Sequence, residues 1–292
     1  MDAPLDLSPL VSRVPLDRPF TRAAALAAGL DRRSLERALD QGVVRRLLRG
    51  VYVVATVPDD RGLRAHALAL VQGPGAVAVG RTAAWVHGVE VGEFDASGRV
   101  PVEVVPGHRV PAADRLELEG ARVTTPLRTA LDLGRRAPAP LALAAMDRML
   151  RTGDLGHVAL LAGLAGAGST PGVVQLRRLA VQVDDRAASA AESVLRLGWH
   201  EARLPTAVPG LPAATWTRLV RLALGVADRQ FGAVLASQVA RGEVTPEDLE
   251  DLHGRGWRVV VLPDGRVLRG EPELWRRHLE REFHQQLLDQ VG

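Results

Sequence analysis

The chain has no cysteine, lysine, asparagine or isoleucine, and aromatic side chains make up only 3% of its 292 residues. Without cysteine, disulfides, thiolate metal sites and cysteine nucleophiles are excluded. Lysine, asparagine and isoleucine share AT-rich codons, so their joint absence points to a GC-rich genome rather than to selection for arginine chemistry. All 37 basic residues are therefore arginine, and the sequence pI of 10.5 is discounted as a sign of polyanion binding. The formal net charge is only +3. Scarce aromatics argue against stacking on single-stranded nucleic acid. No run of about twenty uncharged apolar residues appears, and the start, MDAPLDLSPL, lacks the basic and apolar regions of a signal peptide. A cytoplasmic protein without a membrane partner is expected.

Against that background the stretch Pro19–Val54 stands out. Thr21 is placed to cap a short helix with Ala24, Ala25 and Leu26 on its apolar face, and Gly29 ends it. Asp31 starts a second helix in which Leu35, Ala38 and Leu39 fall at helical spacing, while Arg33 and Arg37 project from nearly the opposite side. Gly42 stops that helix. The following residues alternate as a two-stranded ribbon, Val43–Leu48 and Val51–Val54, turning at Arg49-Gly50. Arg45, Arg46 and Arg49 lie on or beside the ribbon. Helix, turn, helix and ribbon in this order make a winged helix-turn-helix, and guanidinium forks suit phosphate oxygens and the guanine edge of duplex DNA. The candidate DNA-binding set is Arg32, Arg33, Ser34, Arg37, Arg45, Arg46 and Arg49. Arg32 and Glu36 are also spaced for a simple surface ion pair.

A chain of this length is expected to hold two or three domains. The reading divides it into 1–57, the DNA-binding head; 58–184, a central α/β domain; and 185–292. In the middle segment, helices are expected at Arg61–Gln72, Gly80–Val89, Leu127–Arg136, Pro140–Arg151 and Asp154–Leu164, with strands at Val100–Val105 and Arg115–Val123. Ala165–Gly172 is a linker candidate. His87 beside Trp85 invites a catalytic reading, but no partner pattern such as HExxH or GxSxG accompanies it, so a packed or hydrogen-bonded histidine is expected. The last segment, Glu273–Val291, reads as an amphipathic helix with Leu274, Leu279, Phe283 and Leu287 on its apolar side.

The head, with RTAAWVHG (Arg81–Gly88) and TTPLRTALDL (Thr124–Leu133) following it, resembles the AbiEi-type antitoxins and transcriptional regulators of actinobacteria. That resemblance reaches to the end of the middle segment and implies a winged-helix head before an α/β domain. The last third resembles the restriction-like or very-short-patch-repair-like endonuclease domain of the PD-(D/E)xK superfold. AAESVLRL (Ala190–Leu197) is similar to its opening helix, with Glu192 as the glutamate, and HGRGWRVVVLP (His253–Pro263) to its helix-to-strand segment. The expected fold class is thus an α+β multidomain chain: winged helix-turn-helix, central α/β domain, and restriction-endonuclease-like α/β domain.

The endonuclease resemblance implies a strand carrying aspartate and a second ending in glutamate-x-lysine or glutamate-x-aspartate, which together hold a divalent metal. Here those strands read as Arg218–Leu224 and Gln230–Gln238. Arg221 falls at or near a ligand position, the second strand ends in Ala236-Ser237-Gln238, and lysine is absent, so Glu192 is expected to stand alone. The preferred expectation is a regulator or antitoxin that binds double-stranded DNA, with no catalytic residues, metal or cofactor and a nuclease-like scaffold at its end. Its partners are duplex DNA, a toxin of nucleotidyltransferase type and a second copy in a homodimer. The alternative is a Mg²⁺-dependent endonuclease or nickase built on Glu192, Asp228 and Gln238. A third reading makes the winged helix a protein-binding module.

Overall fold

A computed structural model describes residues 14–95 and 97–290; the first ten residues discussed above, and Val291, lie outside them. The chain folds as two compact units, Met1–Thr129 and Ala130–Gly292.

The first unit begins with β1 (Phe20–Thr21), α1 (Arg22–Ala27) and α2 (Arg32–Asp40), then the hairpin of β2 (Val44–Leu48) and β3 (Val51–Val54). Thr21 Oγ1 accepts the Ala24 N–H at 3.0 Å and an Asp31 carboxylate oxygen accepts the Ser34 N–H at 2.6 Å, so both helices start on side-chain caps. Gly29 and Gly42 carry φ of 86° and 68° just past the two helix ends, a left-handed backbone that residues with a β-carbon rarely adopt. The three strands pair antiparallel in the order β1-β3-β2, with a bulge between Arg46 and Leu48. Phe20, Ala25, Leu30, Leu35, Ala38, Val44 and Tyr52 form the core beneath. One expectation needs correction: on α1 only Ala25 is buried, and Ala24 and Leu26 face water. Six residues expose too short a face for three inward positions.

The same unit continues through α3 (Arg61–Ala69), β4 (Ala76–Ala78), α4 (Gly80–Val86), β5 (Val104–Pro106), β6 (Arg115–Leu118) and β7 (Ala121–Thr124). These strands form a sheet ordered β5-β4-β7-β6, parallel only between β4 and β7. The expected strand Arg115–Val123 is instead a hairpin turning at Glu119-Gly120, and only the end of Val100–Val105 is strand. His87 is buried, with Nδ1 2.9 Å from the Arg61 guanidinium and Nε2 2.8 Å from the Thr124 carbonyl. Since arginine only donates and a carbonyl only accepts, the ring is neutral with its proton on Nε2. The two segments quoted for the antitoxin resemblance thus meet at His87 and Thr124. Arg64 is also buried: it binds Asp59, Glu90 and the carbonyls of Trp85 and Val89, and lies over the Trp85 ring.

The chain enters the second unit within α5 (Pro126–Arg136). There follow α6 (Ala139–Arg151), α7 (His157–Gly166), α8 (Val173–Ala180) and α9 (Ala190–Glu201). Asp147 of α6 and Arg196 of α9 make a buried ion pair at 2.5 Å, and the Asp184 N–H donates to the same carboxylate. Burial still pushes the Asp147 carboxyl above its ordinary range. Next come β8 (Val208–Pro209), β9 (Pro212–Ala214), β10 (Leu219–Arg221), β11 (Leu224–Val226), β12 (Phe231–Leu235), α10 (Ala236–Ala240), α11 (Pro246–Gly254) and β13 (Arg258–Leu262). The last two elements are α12 (Asp264–Arg269) and α13 (Pro272–Asp289). A sheet ordered β13-β12-β11-β8 is antiparallel except for β12 and β13, while β9 and β10 form a separate ribbon.

Two strand expectations change accordingly. Arg218–Leu224 breaks into β10 and the start of β11, and β12 ends at Leu235, so Ser237 and Gln238 lie in the first turn of α10. An aromatic chain, Trp199–Phe231–Phe283 with centroids 5.6 and 5.2 Å apart, ties α9, β12 and α13 together. On α13 the buried face is Trp275, Leu279, Phe283 and Gln286, while Leu274 is exposed. Trp275 displaces its neighbour because its larger ring fills the space beside Gly198 of α9.

Candidate nucleic-acid interface and the C-terminal carboxylate

On α2 the inward side chains Leu35 and Ala38 are buried, whereas Arg33 and Arg37 are exposed. Neither has a carboxylate within ion-pair distance among the described residues; Arg37 makes only a long contact, 3.5 Å, to the Ser34 hydroxyl. Arg46 lies over the Tyr52 ring at 5.7 Å, and Arg49 is exposed at the tip of the β2–β3 hairpin. These four guanidinium groups therefore have no carboxylate partner among the described residues.

The other candidates are engaged. Arg32 Nε bonds the Glu36 carboxylate at 2.9 Å, the exposed pair that the spacing permitted. Arg45 donates to the Val57 carbonyl at 2.9 Å and lies 3.5 Å from Asp59. The Ser34 N–H is taken by Asp31, whose carboxyl is held below its ordinary range by that bond. A carboxylate over the start of α2 makes this helix end a poor place for phosphate.

In the second unit the structure brings Arg221 of β10 onto Glu192 of α9. The guanidinium reaches both carboxylate oxygens, Nη1 to Oε1 at 2.8 Å and Nη2 to Oε2 at 2.6 Å, and Nη2 also donates to the Arg186 carbonyl at 2.8 Å. Glu192 Oε2 accepts the Ala188 N–H as well, and its side chain is 3% exposed. The group that meets Glu192 is thus a guanidinium and not a second carboxylate. The Arg221 guanidinium is held above its ordinary pKa by the Glu192 hydrogen bonds, partly offset by burial.

Gln238, fully buried, spends its amide on the main chain: the Leu235 N–H donates to Oε1 and Nε2 donates to the Arg221 carbonyl. Asp228 is 76% exposed beside Arg229. Among the described residues no group of three or more histidine, aspartate or glutamate side chains could hold a metal ion. Glu192, Asp228 and Gln238 consequently do not fit Mg²⁺, which needs several convergent anionic or neutral oxygens free of other bonds.

Sequence reasoning missed the partners that decide availability: Tyr52 under Arg46, Asp59 beside Arg45, and the Arg186 carbonyl beside Arg221. Only the first carried a signal, because this is the chain's single tyrosine and it stands in the ribbon opposite Arg46.

A family model described as "Transcriptional regulator, AbiEi antitoxin" matches residues 16–55. Two Mycobacterium tuberculosis proteins are similar over a longer span: "Uncharacterized protein MT2308" of strain CDC 1551 / Oshkosh and "Uncharacterized protein Rv2248" of strain ATCC 25618 / H37Rv. Each is 31% identical over 188 residues, covering 60% of this chain and 67% of the relative. No solved structure matches the chain. No helix among the described residues is long and apolar enough to cross a membrane. The chain belongs to one family with these two mycobacterial proteins, and its head, residues 16–55, is of the AbiEi antitoxin and transcriptional-regulator type.

Proposed function

We propose that this protein is a sequence-specific, duplex-DNA-binding transcriptional regulator of the antitoxin type, working in the cytoplasm, with a nuclease-like C-terminal unit that no longer binds metal. The head acts as a winged helix-turn-helix: α2 enters the major groove and presents Arg33 and Arg37, while Arg46 and Arg49 on the hairpin hold the backbone or reach the minor groove. One observation carries this reading. The outward face of α2 bears two guanidinium groups without carboxylate partners among the described residues, and its inward face packs on the core shared with the hairpin that bears two more.

The antitoxin-type head supports a toxin partner of nucleotidyltransferase type, and a homodimer would read two half-sites one or more helical turns apart. The helix α9, the strands β8, β11 and β12, the helix α11 and the parallel strand β13 support the nuclease-like reading of the second unit. Cleavage is not supported, because the Glu192 carboxylate is occupied by Arg221.

Selection of bound genomic fragments by the full-length protein, followed by competition against unrelated duplex, tests the reading. A recovered site bound at least about a thousandfold more tightly than unrelated DNA is expected. Arg33→Ala or Arg37→Ala should relax preference at single base positions by about 1–3 kcal/mol. Absence of any salt-sensitive retention on DNA would refute DNA recognition and favour a protein-binding head. Mg²⁺-dependent nicking of supercoiled plasmid that disappears in Glu192→Ala would establish the enzyme instead.

A further inference from the structure

We propose that Arg221 is a built-in replacement for the divalent cation of a nuclease-like site, its guanidinium held as a bound cation in a slot formed by Glu192, the Arg186 carbonyl and Gly210. The proposal rests on the nuclease-like reading of the second unit and names what took the metal's place there.

A carboxylate as deeply buried as Glu192 keeps its charge only beside a compensating positive group. In an active metal site of this resemblance that group is a divalent ion. Here two carboxylate oxygens and one main-chain carbonyl oxygen converge on a single cation, the donor types that a hard metal takes, and the cation is a side chain. The planar fork satisfies both Glu192 oxygens at once, which a point charge would do only at closer range.

The slot is shaped for this group. Gly210 has φ of 64°, and a β-carbon there would stand 3.0 Å from Arg221 Nε, 3.2 Å from Nη2 and 3.4 Å from Cζ. Any side chain at this position would press on the guanidinium plane. From the other side Gln238 fixes the main chain of residue 221 by donating to its carbonyl at 3.1 Å. Where the resemblance calls for glutamate-x-lysine or glutamate-x-aspartate, Ala236 offers no oxygen and the Gln238 amide has both ends bonded to the backbone. The Glu192–Arg221 pair is neutral in itself without a metal, with Glu243, Arg151 and Arg241 in its electrostatic surroundings.

The test uses the full-length chain, with melting followed by far-UV circular dichroism and Mn²⁺ uptake followed by electron paramagnetic resonance. The unaltered protein should neither bind Mn²⁺ at a defined site nor gain melting temperature from it. Arg221→Ala should melt roughly 6–15 °C lower, because it leaves the buried Glu192 carboxylate without its counter-charge. Adding Glu192→Gln to it should recover at least half of that loss, since an amide needs no counter-charge. Millimolar ethylguanidinium should raise the melting temperature of R221A, and ethylammonium at the same concentration should not.

The decisive arm is Arg221→Asp with Gln238→Glu. This variant should bind one Mn²⁺ and gain about 3 °C or more at Mn²⁺ ten times above Kd. Native-like R221D/Q238E that takes up no Mn²⁺, or unaltered protein that does, overturns the proposal. If that variant does not fold, failure of ethylguanidinium to restore R221A overturns it, and selective restoration supports it. None of these arms reads duplex binding, so its loss would refute the regulator while leaving them standing.

Discussion

Six arginines of the head were candidates for DNA contact, and the structure divides them in a way that a salt titration can read. Arg32 and Arg45 are tied to Glu36 and to Asp59 with the Val57 carbonyl, whereas Arg33, Arg37, Arg46 and Arg49 have no carboxylate partner among the described residues. On a duplex of arbitrary sequence, where contacts are with the backbone, each guanidinium that neutralises a phosphate adds about 0.9 to the slope of log K against log salt. Four contacts per head give a slope of about −3.6 and an affinity loss of about 150-fold between about 50 and about 200 mM salt. Six would give a slope of about −5.4 and a loss of about 1,800-fold. Fluorescence anisotropy of a labelled duplex at several KCl concentrations, normalised to one head, separates the two. Ala at 33, 37, 46 or 49 should each flatten the slope by about one, and Arg32→Ala and Arg45→Ala should leave it unchanged. A flattening by Arg45→Ala equal to that of Arg33→Ala would refute the division.

Three further outcomes follow from buried or depressed groups. Arg64→Ala should cost the first unit about 2–3 kcal/mol, less than a fully buried pair because Asp59 and Glu90 remain partly in water; a denaturant melt unchanged within about 0.5 kcal/mol would dismiss the role given to Arg64. Asp248 is pulled down to about 2 from its ordinary 3.8, first by its hydrogen bonds with Arg218. Its contribution is therefore complete above about pH 4 and lost as pH falls towards 2, a loss of about 1–2 kcal/mol after allowance for the exposed Arg218. Asp248→Asn should remove that acid limb from the stability profile, and an unaltered limb would show that another carboxyl carries it. Gly198→Ala places a β-carbon 1.9 Å from Trp275 Cη2 in the core, so destabilisation of about 3 kcal/mol or more is expected by urea melting; a loss below about 1 kcal/mol would mean that α9 and α13 separate easily.

The head was legible because its signals are local. Caps at Thr21 and Asp31, stops at Gly29 and Gly42, and the Arg49-Gly50 turn each depend on residues within one turn of chain, and all are found in place. What spacing along one element could not supply was the neighbour from another. Arg45 and Arg46 are adjacent on β2, yet one faces Asp59 and the other Tyr52. Likewise Arg221 was recognised as unfit for metal, but its pairing with Glu192 spans 29 residues and depends on β10 peeling away from β11. On α13 Leu279 and Phe283 were placed correctly, but leucine spacing put Leu274 where the larger Trp275 is buried and Leu287 where Gln286 is.

Asp59 has a consequence for reach. This one carboxylate accepts the Arg64 guanidinium at 2.8 and 3.1 Å and also faces Arg45 of β2. The hairpin and α3 are thereby clamped to a common post just after the last strand of the head. A reading module fastened in this manner is aimed rather than tethered. If the head reads DNA as proposed, it does so from within the first unit and not from the end of a slack loop.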